Sequence, residues 1–369
     1  MTRRQLSLPL LLALALACGD DDPGSAEDAS VPDAAVDLGT DAAMDDGAVD
    51  DAGEEDGAAD EGAGGDASCD DLVALFVNAP DTVTESDCAL ENGSTTTCCT
   101  LTFGSDVMED GPYCPASRTS PAPYGLSVYD GATRPGLRPF NGDYLDDIVA
   151  DGYDPMFDDA GNTNIVTGLG GGGPGEGSNC LALDQDFGLT IEVNVPLVPT
   201  LGDAASELGE VENYGVSVMG IPATGDPPSA TMGPMMGMGG GGGGTAINVP
   251  SIGSCGAHPD PGGYLHDHFI PQVMNAVLES QGIGPDEVEC TRYVQDTTTL
   301  YGFAKDGFPI YSSRNEDGSL PELDECNGEF GPTPDFPDGI YHYHAVENAA
   351  PNVPPCLRGV PVRQSFRYF

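Results

Sequence analysis

Apolar residues occur along most of this chain in short runs separated by Gly, Pro, Asn and Asp, a pattern typical of strands joined by turns. Residues 189–195 alternate apolar and polar side chains, which predicts a strand with one buried face. Residues 214–219 and 301–304 are further short apolar segments. One clear helix is predicted, from Pro271 to about residue 281, because proline suits a first helical turn and the following glycine suits a stop.

From residue 69 onward the pattern therefore predicts a mainly β, β-sandwich-like domain (69–369) with long loops and one or two short helices. Two glycine-rich stretches, 168–178 and 232–244, interrupt it. The second contains four methionines, which are soft ligands suited to Cu(I), but we interpret it as a low-complexity loop. These methionines are Met232, Met235, Met236 and Met238.

The first 18 residues have the layout of a secretory signal: two arginines, an apolar run from Leu6 to Ala17, and then Cys18. The end of this run resembles a bacterial lipoprotein box, which implies that Cys18 is the lipidated first residue of the mature protein. The alternative is an ordinary secretory signal with Cys18 in a disulfide. Residues 19–68 are rich in Asp, Ala, Gly and Glu, so we expect a disordered acidic tether.

Charge changes the range of partners that can be expected. The formal net charge is −50, and residues 19–68 contribute −18 of it, so the rest of the chain is acidic as well. A chain this poor in Lys and Arg is unsuited to nucleic acid. We therefore expect contact with a membrane only through the lipid anchor. No nucleophile elbow, phosphate loop or dinucleotide fingerprint is present, so the motifs name no reaction.

The number of cysteines supports an extracytoplasmic location. The chain has 11 Cys, and setting Cys18 aside leaves ten, enough for five disulfides in an oxidising compartment. We expect the adjacent Cys98 and Cys99 to bond different partners, because a disulfide between neighbours is strained. The ten are Cys69, Cys88, Cys98, Cys99, Cys114, Cys180, Cys255, Cys290, Cys326 and Cys356.

All five histidines lie in two short motifs: His258 with His266 and His268, and His342 with His344. Residues i and i+2 of a strand share a face, so each His-x-His pair can present two imidazoles to one ion. Two such strands brought together would supply four nitrogens, enough for zinc or copper. His258 would be a fifth ligand or a neighbour of the ligands. The alternative is that these rings only pack with tyrosines in a polar core.

Several motifs in this part of the chain resemble those of the YHYH domain family. Residues 341–344 read Tyr-His-Tyr-His, the signature that gives the family its name. The segments Tyr301–Tyr311, Leu323–Gly328 and Pro355–Gly359 are similar to further family blocks, in the same order. The resemblance is strongest over 251–359. It implies a domain of secreted bacterial proteins whose biochemical role is uncharacterised.

Four residues near the second motif are candidate neighbours of the metal ligands: Asp306, Asp324, Tyr341 and Tyr343. Asp306 could act as a general base beside a metal-bound water, although the Asp-Gly pair also predicts a tight turn, which we favour. The sequence therefore supports a transition-metal-binding lipoprotein of the cell envelope. A metal-dependent extracytoplasmic enzyme and a disulfide-rich structural or interaction module are the alternatives.

Overall fold

A computed structural model describes residues 67–105, 111, 113–167, 177–209, 212–230 and 245–369. The predicted signal (1–18) with Cys18, the predicted tether up to residue 66, and the methionine-rich stretch 232–244 lie outside the described residues. Among the residues it does describe, no helix is both long and apolar enough to cross a membrane.

The described chain is mainly β, as predicted. Its strands, in chain order, are β1 (Thr82–Ala89), β2 (Thr95–Gly104), β3 (Leu126–Tyr129), β4 (Gly136–Pro139), β5 (Ile165–Val166), β6 (Asn179–Leu181), β7 (Thr190–Pro196), β8 (Leu201–Glu207), β9 (Asn213–Ser217), β10 (Pro222–Thr224), β11 (Asn248–Pro250), β12 (Ala257–Pro259), β13 (Leu265–Asp267), β14 (Leu300–Ala304), β15 (Pro309–Tyr311), β16 (Gly328–Gly331), β17 (Ile340–His344), β18 (Cys356–Gly359) and β19 (Phe366–Tyr368). The α-helices are α1 (Cys69–Val73), α2 (Gly142–Ala150) and α3 (Met274–Ser280).

The largest sheet has eight strands in the order β12-β13-β10-β9-β14-β15-β17-β16. A four-stranded sheet has the order β1-β2-β7-β19, and the other strands form small sheets of two or three. The two main sheets pack together through Leu101 and Val193 of the smaller sheet and Val216 and Phe303 of the larger one. This packing confirms the β-sandwich-like prediction.

The predicted strands and helix form where the pattern placed them. In β7 the predicted apolar positions, Ile191, Val193 and Val195, are all buried. A short 3₁₀ turn, Pro271–Val273, leads into α3, and Gly282 then adopts a positive φ of 76° that ends the helix. The helices α1 and α2 were not predicted from the sequence pattern.

The ten cysteines form five disulfides, and Cys98 and Cys99 bond different partners, as predicted. Two of these bridges lie beside the strands that carry the histidine motifs, so they fix that part of the fold covalently. The pairs are Cys69–Cys99, Cys88–Cys98, Cys114–Cys180, Cys255–Cys290 and Cys326–Cys356.

Candidate metal sites

The two His-x-His motifs lie on different strands of the eight-stranded sheet. His266 is in β13 and His268 directly follows it, whereas His342 and His344 are in β17. Four strands, β10, β9, β14 and β15, separate them, which places the motifs on the order of 20 Å apart. The expectation of one site with four histidines is therefore wrong. The strand order creates two separate groups of metal-ligating side chains instead.

Within each motif the two histidines share a face, as strand alternation predicted. The Nε2 atoms of His266 and His268 are 3.0 Å apart, and the ring centroids of His342 and His344 are 4.9 Å apart. Asp267 points to the opposite face, where its carboxylate accepts a hydrogen bond of 2.9 Å from Tyr301. Asp267 therefore faces away from the neighbouring imidazoles.

The first group, called here the three-histidine group, consists of His258, His266 and His268. β12 pairs antiparallel with β13, and this register puts His258 directly opposite His266. The Nε2 atom of His268 is 3.2 Å from that of His258 and 3.0 Å from that of His266. His258 is therefore a full third member of a cluster whose Nε2 atoms converge.

In His258 and His268, backbone carbonyls fix which ring nitrogen carries the proton. A carbonyl oxygen only accepts, so an Nδ1 that bonds to one must be protonated, which leaves a lone pair on Nε2. The Nδ1 atoms lie 2.8 Å from Ser251 O for His258, 2.6 Å from Gly225 O for His268 and 3.5 Å from Tyr264 O for His266. The lone pairs of His258 and His268 therefore point toward each other, and the Nε2 atom of His266 lies 3.0 Å from that of His268.

Burial keeps these rings neutral. It lowers the pKa of His258 to about 4 and that of His268 to about 3. Burial, together with the two neighbouring imidazoles, also lowers the pKa of His266 well below its ordinary value. Neutral imidazoles with free Nε2 atoms are the form that binds transition metals.

The spacing of the nitrogens fits a metal ion. Two nitrogens bound to tetrahedral zinc at about 2.0–2.1 Å lie about 3.3 Å from each other. The Nε2–Nε2 separations of 3.0 and 3.2 Å are close to that value. His258 and His266 also line a cavity of about 280 Å³ whose other walls include Leu181, Leu183 and Pro250.

The second group, called here the glutamate–histidine group, consists of Glu329, His342 and His344. β16 pairs antiparallel with β17 and places Glu329 opposite His342. Glu329 Oε1 is 3.7 Å from His342 Nε2 and 3.6 Å from His344 Nε2. Glu329 was not among the predicted ligands, because only the pairing of the two strands brings it to the histidines.

Backbone carbonyls hold these two imidazoles as well. His342 Nδ1 donates to Ile340 O at 2.9 Å, and His344 Nδ1 donates to Ser312 O at 2.8 Å. Burial lowers the pKa of His342 and lowers that of His344 to about 4. Among the described residues, the buried Nε2 of His344 has no hydrogen-bond partner. It points toward the carboxylate of Glu329 at a distance too long for a hydrogen bond.

The four predicted neighbours of the ligands occupy a different place from the one expected. Tyr341 and Tyr343 alternate with the histidines, so they lie on the opposite face of β17. Tyr343 donates to Asp306 at 2.5 Å, and Tyr341 donates to Asp324 at 2.9 Å. These bonds fix β17 from behind rather than orienting the imidazoles, which the carbonyls hold.

Asp306 and Asp324 bind backbone rather than facing a metal. Asp306 accepts from the backbone N–H groups of Phe308 and Gly359, and Gly307 has the positive φ of 92° that a tight turn requires. The turn interpretation of Asp306 is therefore confirmed, and the general-base alternative loses its geometric support. Asp324 accepts from the N–H groups of residues 326 and 328 and so anchors that loop.

Comparison with known proteins gives one family. Searches of curated proteins and of solved structures find no match. The family model described as "YHYH protein" matches residues 192–319 and 314–359. This span contains both strands of each group, all five histidines and Glu329. Residues 192–359 therefore match the model of the YHYH protein family, in agreement with the motif resemblance.

Proposed function

We propose that this protein is an extracytoplasmic metal-binding protein whose three-histidine group holds one transition-metal ion, zinc or copper. One observation carries the proposal. The Nε2 atoms of His258 and His266 lie 3.2 and 3.0 Å from that of His268, while every Nδ1 faces a backbone carbonyl.

Packing alone does not account for this arrangement. Neutral imidazoles that merely pack can pair a donor on one ring with an acceptor on the next. Here the rings of His258 and His268 direct their only proton to carbonyls at 2.8 and 2.6 Å, so their two Nε2 atoms meet as acceptors at 3.2 Å. A buried polar atom left without a partner costs about 1–3 kcal/mol, and a bound cation would give the two facing acceptors a shared partner.

The ligand set favours zinc or copper over calcium and magnesium. Imidazole nitrogen suits zinc and copper, whereas calcium and magnesium prefer oxygen. Three protein ligands also leave a fourth position, which is the arrangement of catalytic zinc sites. The adjoining cavity of about 280 Å³ could admit a small molecule to that position, which favours a metal-dependent enzyme as the second candidate function.

The metal is tested by elemental analysis of the full chain, purified without a polyhistidine tag. We expect the variant His258→Asn/His266→Asn to lose one equivalent of metal relative to the wild type. The comparison variant is His342→Asn/His344→Asn, which removes the same number of imidazoles from the same sheet and should keep the ion of the three-histidine group. Equal metal content in the His258→Asn/His266→Asn variant and the wild type would overturn the proposal.

A measurement on the wild type covers the case in which that variant fails to fold. The chain has 5 His, so ¹⁵N-labelled histidine gives a simple spectrum. Zinc added to metal-free protein should shift the Nε2 resonances of three imidazoles together. Shifts in no ring, or in rings outside this group only, would contradict the proposal.

We also propose that the protein is held to a membrane through a lipid on Cys18. The lipoprotein-like segment before Cys18 supports this, and the five disulfides are typical of proteins from oxidising compartments. A Cys18→Ser variant should move from the membrane fraction to the soluble extracytoplasmic fraction. Unchanged membrane association of that variant would count against a lipid anchor.

A further inference from the structure

We propose that the glutamate–histidine group is a second, separate metal site that exchanges its ion readily. Its ligands would be Glu329 Oε1 and the Nε2 atoms of His342 and His344. It does not depend on the three-histidine group, since four strands separate the two. The ligand would be a divalent transition-metal ion.

The three side chains can coordinate a cation, but they cannot hydrogen-bond to one another. Both Nδ1 protons go to carbonyls, so each Nε2 offers only a lone pair to the carboxylate. Two lone pairs and a carboxylate oxygen therefore converge without a proton between them. The buried Nε2 of His344, which lacks a hydrogen-bond partner among the described residues, is the clearest sign of a missing positive charge.

A small movement of Glu329 would bring its Oε1 atom to the distance from the two imidazole nitrogens that a shared metal ion requires. Ligand atoms around a tetrahedral zinc lie about 3.3 Å apart. The distances from Glu329 Oε1 to the two nitrogens, 3.6 and 3.7 Å, exceed that by a few tenths of an ångström. The Glu329 side chain is 22% exposed, so it has room to adjust, whereas the imidazoles are fixed by burial and by their carbonyl partners.

The surroundings of this group differ from those of the three-histidine group. It lines a cavity of about 640 Å³ that also contains Glu316 and Asp317, both exposed. The one arginine in the cavity wall, Arg314, is already bound to Glu347 by two hydrogen bonds of 2.8 Å. The cavity therefore keeps a negative charge, which attracts a divalent cation and repels anions.

These differences predict different exchange kinetics at the two sites. The three-histidine group is buried, with His268 fully inaccessible, so an ion there leaves slowly. The glutamate–histidine group opens on the larger acidic cavity, so an ion there meets water and leaves quickly. Three protein ligands also leave an open position for a neutral donor molecule from the cavity.

The test begins with metal-free full-length protein titrated with Co²⁺. We expect two equivalents to bind, and excess chelator to remove one at least tenfold faster than the other. A Glu329→Gln variant, which keeps the size of the side chain but removes its charge, should weaken one equivalent by at least tenfold and eliminate the fast phase. The matched control is Glu316→Gln, which neutralises a carboxylate of the same cavity outside the group and should change the affinity less than threefold.

The outcomes separate this site from the proposed function. Metal binding that is unaffected by Glu329→Gln, or Glu329→Gln and Glu316→Gln variants that behave alike, would overturn the second site. Two equivalents released at one rate would overturn its readily exchanging character. The His258→Asn/His266→Asn variant should keep the fast-exchanging ion, so its loss of the slow one alone tests the three-histidine group independently.

Discussion

In β17, the side chains on the two faces of the strand make different contacts. His342 and His344 face the cavity with their Nε2 lone pairs, while Tyr341 and Tyr343 bind carboxylates on the other face. The Tyr343 hydroxyl contacts Asp306 and also accepts from the backbone N–H of Arg358. Asp306 is thus the buried centre of a polar network that holds β17 against β18.

Asp306 should give the protein a measurable dependence of stability on pH. Burial raises its pKa from 3.8 to about 6, although hydrogen bonds from Tyr343, Phe308 and Gly359 favour the ionised form. Because the folded-state pKa is the higher one, this residue's contribution to stability is complete below about pH 4. It is lost as the pH rises through about 6, by roughly 3 kcal/mol in total.

The measurement compares urea unfolding of the wild type and an Asp306→Asn variant between pH 4 and 7. The Asn variant cannot titrate here, and the other carboxylates cancel in the difference. The free-energy gap between the two proteins should therefore shrink as the pH rises. A gap that stays constant with pH would show that the Asp306 pKa is not raised by folding.

At the scale of single residues, the sequence correctly predicted those features that depend only on neighbouring residues. The spacing of His266 and His268 correctly predicted a shared face, because alternation depends only on neighbouring residues. Glu329 could not be found in this way, because it reaches His342 only through the pairing of β16 with β17. The carbonyl of Gly225, which fixes the His268 tautomer, lies 43 positions from it in sequence.

Among the elements, β9 and β14 form the centre of the eight-stranded sheet and separate the two groups. They pair antiparallel, with Gly302 opposite Ser217. A Cβ on Gly302 would lie 2.1 Å from the backbone oxygen of Val216, closer than atoms can approach. Glycine is therefore required at this position for the two strands to pair.

We expect Gly302→Ala to destabilise the fold by roughly 3 kcal/mol, because backbone rather than a flexible side chain blocks the methyl group. The measurement is thermal or urea unfolding. The control is Gly331→Ala in β16, where the nearest atom to a new Cβ, His342 Cε1, is 3.9 Å away and little change is expected. Similar stabilities for both variants would mean that β9 and β14 can move apart at little cost.

The elements themselves were partly predictable. β7 and α3 follow from local alternation and from a Pro at the start with a Gly after the end. In α2, Tyr144, Leu145 and Ile148 are buried with helical spacing, and Asn141 caps the helix by accepting from Tyr144 N–H. This helical spacing is present in the sequence, but the segment is short and is flanked by glycine. The parallel pairing of β15 with β17 depends on contacts distant in sequence, so the order of strands was not predictable.

At the scale of the whole molecule, repulsion between carboxylates opposes folding. Residues 69–369 contain 43 Asp and Glu but only 9 Lys and Arg. Among the described residues at least seven of those nine lie within 4 Å of a carboxylate, and nine cations in any case cannot pair with 43 acids. The seven are Arg118, Arg134, Arg138, Lys305, Arg314, Arg358 and Arg367.

Added NaCl should therefore raise the thermal stability of the protein. Between 0.01 and 0.15 M salt the screening length falls from about 30 to about 8 Å, which weakens repulsion over the whole acidic surface. The same salt also weakens the ion pairs. Exposed pairs are worth only about 0–1 kcal/mol each and are few, so the reduced repulsion should dominate. We expect the Tm to rise by roughly 2–4 °C, equivalent to about 1 kcal/mol. Sucrose at matched osmolality controls for effects unrelated to charge. A Tm that falls with NaCl would mean that the few ion pairs outweigh the repulsion between carboxylates.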